Sequence, residues 1–272
     1  MQKLFFLLLL TLLSSGFGKK NRVWVALGDS ITYLNDHVDE TGNRITKGYM
    51  TRVTEELPEI RYVNQGHNGW TAVEIARQIE TLGLTPADMY TVFLGTNDWW
   101  SGKPIGTIAD FEQNTGYGTI YGAFRIIIDK FKSLNSQAKI ILITPMQRAD
   151  FIYVNDFHNN AYGSYKEKNG QSLEQVADAI RKIGQHEKIK VIDLYHQRAL
   201  SIKNLVAFKR LKMPAHGTYK NYPYPDYINI PFNPDVDEYP YPVEAMRMTY
   251  DGLHPSDNGY QVISKLLAKA LK

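Results

Sequence analysis

The feature that most constrains this chain is a short apolar run, Val23-Trp24-Val25-Ala26-Leu27, that stops at Gly28 and delivers Asp29 and Ser30. A run of this length, rich in β-branched residues and closed by a glycine, reads as a buried strand breaking into a turn. In an open α/β sheet the carboxyl ends of the strands are where ligands sit and reactive groups converge. Ser30 is therefore a candidate nucleophile, provided that the remaining residues supply a base and donors for an oxyanion.

The 272 residues are enough for one large core. A formal net charge of +3 is too small to argue for a nucleic-acid partner. Lys3 followed by the apolar residues 4–13 reads as a secretory leader, too short to span a bilayer. Small residues at Ser14, Ser15, Gly16 and Gly18 place the cleavage near residue 18, which leaves 19–272 as the mature domain. The competing reading is an anchor that stays attached. With no cysteine in the chain, disulfides and a lipid-modified N-terminal cysteine are excluded. The expected location is secreted or periplasmic, without stable membrane insertion once the leader is cleaved. Oligomeric state is left open.

Beyond the leader, short apolar runs alternate with longer amphipathic segments. Candidate strands are 23–27, 60–64, 89–94, 139–144 and 190–193, and candidate helices are 48–57, 72–82, 118–134, 172–186 and 258–271. Val- and Ile-rich strands with helices between them indicate βα repeats and a parallel sheet, so the expected fold is a three-layer α/β/α sandwich of flavodoxin-like type with five strands. Two regions break the rhythm. Residues 97–118 read as a loop carrying Trp99 and Trp100, and residues 207–250 hold seven of the twelve prolines. Proline at that density forbids regular helix and central strand. The six tyrosines between Tyr219 and Tyr241 argue against disorder, so this insertion is expected to fold over the Ser30 edge and form part of a substrate site. The competing reading is that it only wraps and stabilises the domain.

Among the seven histidines, His254 has the clearest claim as a base, because it lies in Asp251-Gly252-Leu253-His254-Pro255. An aspartate three residues before a histidine can fold back in one turn, accept from Nδ1–H and leave Nε2 free to take a proton. Ser256 then reads as the cap of the last helix. Oxyanion donors could come from the Ser30 N–H, from Asn64-Gln65-Gly66-His67-Asn68-Gly69 after the second strand, and from Asn97 after the third. Each is individually a common turn. What singles them out is that they follow successive strands. The chain holds no G-x-S-x-G elbow, phosphate-binding loop, H-E-x-x-H or histidine spacing suited to a metal, so no cofactor and no metal are expected.

Four blocks, Gly28-Asp29-Ser30-Ile31, Asn64-x-Gly66-x-x-Gly69, Gly95-x-Asn97-Asp98 and Asp251-x-x-His254, come in the order and rough spacing of the SGNH hydrolases, also called GDSL esterases/lipases. They span nearly the whole mature chain. The resemblance implies a flavodoxin-like fold and hydrolysis of carboxylic esters without metal. By position it implies Ser30 as nucleophile, His254 as base, Asp251 as the orienting acid, and Ser30, Gly69 and Asn97 as the oxyanion hole. Asp29 and Asp98 match positions that are mainly structural. Ile31 stands where the family name has leucine, and neither the Trp99–Trp100 pair nor the Tyr/Pro insertion belongs to the pattern.

The expected activity is an exported serine esterase. Its expected substrate is an acylated small molecule or glycan, above all O-acetylated carbohydrate, with Trp70, Trp99, Trp100 and Tyr250 as substrate-binding aromatics, because their amphipathic rings suit sugar faces. The competing readings are a lipid esterase, lysophospholipase or thioesterase, and, from a different class, a non-catalytic glycan-binding module.

Overall fold

A computed structural model describes residues 21–213 and 217–272. The expected leader, residues 1–18, lies outside them. The five anticipated strands form one parallel sheet: β1 (Arg22–Gly28), β2 (Ile60–Gly66), β3 (Met89–Phe93), β4 (Lys139–Ile143) and β7 (Lys190–Ile192), in spatial order β2-β1-β3-β4-β7. The register sets Gly28 beside Gly66 on one side and Phe93 on the other, so three strands end at one level. Their following residues share one edge.

Period-two alternation divides the strands between two cores. Trp24, Ala26, Met89, Phe93, Ile141 and Ile143 face one layer, and Val25, Leu27, Tyr90, Val92 and Leu142 face the other. The first layer holds α2 (Tyr49–Glu56) and α9 (Asp257–Leu271), which pack on each other. The second holds α3 (Ala72–Gln78), α6 (Ile120–Leu134) and α7 (Leu173–Glu187). This is the three-layer α/β/α sandwich that the alternation of runs predicts. Ser256 caps α9, accepting from the Gly259 N–H at 3.4 Å. Helix α3 ends four residues before the expected Leu82, where Gln78 accepts from the Thr81 N–H and Gly83 adopts φ +68°.

Two expectations are corrected. Residues 97–118 are not simply a loop, because they contain most of α4 (Thr96–Trp100) and all of α5 (Ile108–Glu112). These helices are too short to show an amphipathic period. The insertion is not structureless either. It carries the antiparallel pair β8 (Lys209–Lys212) and β9 (Tyr219–Tyr222) on the α2–α9 side, following α8 (Ile202–Leu205). Tyr227 and Tyr241 are fully buried in that core. A second hairpin, β5 (Phe151–Tyr153) with β6 (Asp156–Ala161), went unread in the sequence. The insertion backs it: Tyr241 Oη donates to the Asp150 carbonyl (2.5 Å), Tyr239 Oη to the Ile152 carbonyl (3.1 Å), and Lys209 Nζ to Asp150 Oδ2 (2.8 Å).

The start of α3 is fixed twice. Thr71 and Glu74 form a capping box, and the fully buried Asp98 accepts from the Ala72 and Val73 N–H groups at 2.8 and 3.3 Å. Burial pushes the Asp98 carboxyl up to about 7, against the pull of those backbone donors. The unfolded chain releases this proton near 3.8. Between those two values the folded state binds more protons, so Asp98 makes stability fall as pH rises and contributes no further change above about 7. Chemical denaturation at pH 5 and pH 8 checks this. The wild type should lose stability on the order of a few kcal/mol more than Asp98→Asn does over the same interval. Parallel losses in the two proteins would contradict it.

Candidate active site

Ser30 is the first residue of α1 (Ser30–Tyr33), a single turn that starts directly after β1. Asp29 caps this turn, accepting from the Ile31 N–H at 3.0 Å, and its carboxyl is pushed up to about 6 by burial. Ile31 drops into the α2–α9 core, and the Tyr260 hydroxyl from α9 donates to the Ile31 carbonyl at 3.2 Å. The turn can lie this close to β2 because Gly66 has no side chain: a Cβ there would sit 2.1 Å from the Tyr33 nitrogen.

The Asp251–His254 segment closes as the spacing predicts. Asp251 Oδ1 accepts from the Leu253 and His254 N–H groups at 3.0 and 2.7 Å, and Oδ2 lies 2.6 Å from His254 Nδ1. Gly252 makes the turn at φ +90°. The Ala149 N–H donates to the Gly252 carbonyl (2.9 Å), tying the turn to the segment before β5. His254 Nε2 lies 2.9 Å from Ser30 Oγ. Asp251 is fully buried, while Ser30 and His254 retain 8% and 5% exposure, so solvent reaches the serine end only. The His254 ring is held edge-on by Phe151 (centroids 5.3 Å apart) and lies nearly parallel to Tyr250 at 5.8 Å.

The three expected oxyanion residues border the same cleft as Ser30. Among the described residues, neither the Ser30 N–H nor the Gly69 N–H donates a hydrogen bond within the chain. Gly69 adopts φ +77°, a conformation that suits glycine. One N–H of the Asn97 amide is spent on the Trp70 carbonyl (3.0 Å), which fixes the group and leaves its other N–H available.

The cleft has a volume of about 130 Å3 and is lined by Leu34, Phe151 and Leu253 on its apolar parts and by Glu40, Asn68, Tyr153 and Asn159 on its polar parts. Of the four expected substrate aromatics only Trp100 lines it. Trp99 is buried, with Nε1 donating to the Gln171 carbonyl at 3.0 Å, and Tyr250 is buried behind His254. Trp70 stacks on His67 at 4.7 Å, outside the lining. No described residue of the 207–250 insertion lines the cleft, and its last residue, Tyr250, lies buried behind His254, so the insertion supports the wall and does not form it. The wall is the β5–β6 hairpin. Its aromatic and β-branched run Phe151-Ile152-Tyr153-Val154, followed by Asn155 and Asp156, carries a hairpin signal that sequence reasoning could have used. Among the described residues, no three His, Asp or Glu side chains are placed to share a metal ion.

The model of the GDSL-like lipase/acylhydrolase family matches residues 26–262. The structure of a possible lipase from Chitinophaga pinensis is 58% identical, with 92% of this chain and 97% of that chain covered and a TM-score of 0.91. The acetyl xylan esterase AlAXEase shares the fold at 18% identity, covering 92% of this chain and 100% of its own, with a TM-score of 0.55. An acetylxylan esterase from Geobacillus stearothermophilus does so at 16% identity, 93% and 94% coverage and a TM-score of 0.52. No curated protein matches the chain. With the family model covering nearly all of the described residues, the chain belongs to the GDSL-like lipase/acylhydrolase family.

Proposed function

We propose that this family member is an exported serine esterase that removes short acyl groups, acetyl foremost, from a hydroxylated acceptor such as a carbohydrate. The observation that carries the reading is the hydrogen-bonded series Asp251–His254–Ser30, at 2.6 and 2.9 Å, opening into the cleft. In this reading Ser30 Oγ attacks the acyl carbonyl and His254 Nε2 takes its proton. Asp251 holds the Nδ1–H tautomer and offsets the imidazolium charge. The oxyanion receives the Ser30 and Gly69 N–H groups and the free N–H of Asn97. His254 returns the proton to the leaving alkoxide. Water, deprotonated by His254, then attacks the acyl-enzyme and frees the acid and Ser30.

The substrate class rests on the cleft. Its volume of about 130 Å3 falls below the roughly 300–1,000 Å3 of pockets that hold drug-sized ligands, which favours a short acyl group over a long chain. Leu34, Phe151 and Leu253 offer an apolar surface to a methyl group. Glu40, Asn68, Tyr153 and Asn159 offer hydrogen bonds to hydroxyls, and Trp100 offers a flat face to a sugar ring. Export rests on Lys3 and the apolar residues 4–13.

Steady-state kinetics on p-nitrophenyl acetate test the roles. Asn97→Ala should lower kcat on the order of 10²–10³ with KM little changed, the size of one lost oxyanion donor. A loss confined to KM would make Asn97 a binding residue instead. His254→Ala should cost on the order of 10⁶ in kcat and Asp251→Asn nearer 10⁴, since the carboxylate orients a base that remains present. An unaltered rate in His254→Ala would remove histidine from the mechanism. A series of p-nitrophenyl esters from two to sixteen carbons tests the acyl site. kcat/KM should be highest for acetyl and at least about 100-fold lower for palmitoyl, the scale by which a filled pocket rejects added methylenes. A rate that rises with chain length would make the protein a lipid esterase.

A further inference from the structure

His67 and Trp70 stand outside the cleft lining, yet their rings stack on each other, with centroids 4.7 Å apart and planes 28° from parallel. His67 Nε2 is buried and has no hydrogen-bond partner among the described residues. An unpaired buried nitrogen costs free energy, so the ring is held by something other than a polar bond. The face of Trp70 supplies that contact, and Trp70 in turn packs on the α3–α6–α7 core.

The main chain of the same two residues closes a turn. The Trp70 N–H donates to the His67 carbonyl at 3.1 Å, which leaves Asn68 and Gly69 as the central pair. Gly69 stands third in this turn at φ +77°, the left-handed value that a type II turn requires there. Its N–H therefore belongs to the central peptide, whose direction follows from where residues 67 and 70 are held. Asn68 and Gly69 are exposed, and a Cβ at Gly69 would meet no atom within 4 Å beyond its chain neighbours. Nothing packed over the middle of the turn holds it, so its ends must.

Each end is also tied to another oxyanion donor. The His67 N–H donates to the Gly28 carbonyl at 2.9 Å, at the end of β1 just before Asp29 and Ser30. The Trp70 carbonyl accepts from Asn97 Nδ2 at 3.0 Å. We infer that His67 and Trp70 are positioning residues for the oxyanion hole: their stacked rings clamp the ends of the 67–70 turn, which aims the Gly69 N–H and sets the carbonyl that orients the Asn97 amide. The inference rests on the esterase reading of Ser30, Gly69 and Asn97. It gives Trp70 a role through two donors rather than through contact with a sugar. Oxyanion donors act only when fixed about 3 Å from the developing charge. A looser turn therefore loses transition-state stabilisation and leaves ground-state binding nearly unchanged.

The test is steady-state kinetics on p-nitrophenyl acetate, which has no sugar for Trp70 to touch, with folding followed by circular dichroism. Trp70→Leu and His67→Ala each remove one face of the stack. Each should lower kcat about 10-fold with KM little changed, a part of the roughly 10²–10³ lost with a whole donor. Trp70→Phe and His67→Phe keep a ring and should recover kcat to within about threefold of the wild type. His67→Phe also discards the unpaired nitrogen, so it separates stacking from a polar role of His67. In an Asn97→Ala background the Trp70→Leu loss should shrink to about threefold, because one of the two donors it positions is already gone. Where Trp70→Leu does not fold, His67→Ala in both backgrounds decides the same way. Wild-type kcat in folded Trp70→Leu and His67→Ala overturns the inference, as does a His67→Phe variant as slow as His67→Ala. A merely structural role predicts a loss undiminished in the Asn97→Ala background, which also overturns it. A loss seen only as a raised KM on acetylated xylan makes Trp70 a sugar contact and overturns it too. Absence of Ser30-dependent hydrolysis in the wild type would overturn the esterase reading instead, which keeps the two failures distinct.

Discussion

The hydrogen bond between His254 Nε2 and Ser30 Oγ joins residues 224 positions apart, and much of the fold serves to hold them 2.9 Å from each other. One end hangs on β1, whose apolar residues are locked between β2 and β3 and whose last residue hands the chain to the α1 turn. The other end hangs on the start of α9, which packs on α2 and bonds back to Ile31 through Tyr260. The two ends therefore share the core that holds Ile31, Tyr49 and Tyr260. A core with few voids transmits little slack, and that is what a distance of this kind requires.

The same site concentrates charge where solvent is excluded. Asp29, Asp98 and Asp251 are buried beneath it, and burial raises the first two carboxyls. Backbone N–H groups at two helix starts and one turn meet these carboxylates, a cheaper counterpart than a second ion because the donors are already fixed. Arg148 is the exception, a whole charge among aromatic faces.

What the sequence made legible was local chemistry. The five strands announce themselves because each is a short apolar run closed by turn residues, and their alternation is enough to set the layers. The Asp251–His254 turn is legible because three residues of spacing nearly determine its geometry. The cleft walls were not, because they depend on packing between distant segments. Tyrosine and proline in 207–250 suggested a surface for sugars, yet Tyr227 and Tyr241 turn inward and the hairpin of residues 151–161 forms the wall. Trp99 and Trp100 looked alike in sequence, but their adjacent positions on α4 send the first into the core and the second to the cleft. Arg148 carries no sequence signal at all, since nothing nearby distinguishes it from an exposed arginine.

The central claim, that Ser30 is a nucleophile activated by His254, is tested most directly by covalent trapping. The protein is incubated with a fluorophosphonate, digested and read by peptide mass spectrometry. One adduct is expected, on the peptide containing Ser30, absent in Ser30→Ala and formed far more slowly in His254→Ala. An adduct on another serine that persists in Ser30→Ala, or labelling of Ser30 at an unchanged rate without His254, would contradict it.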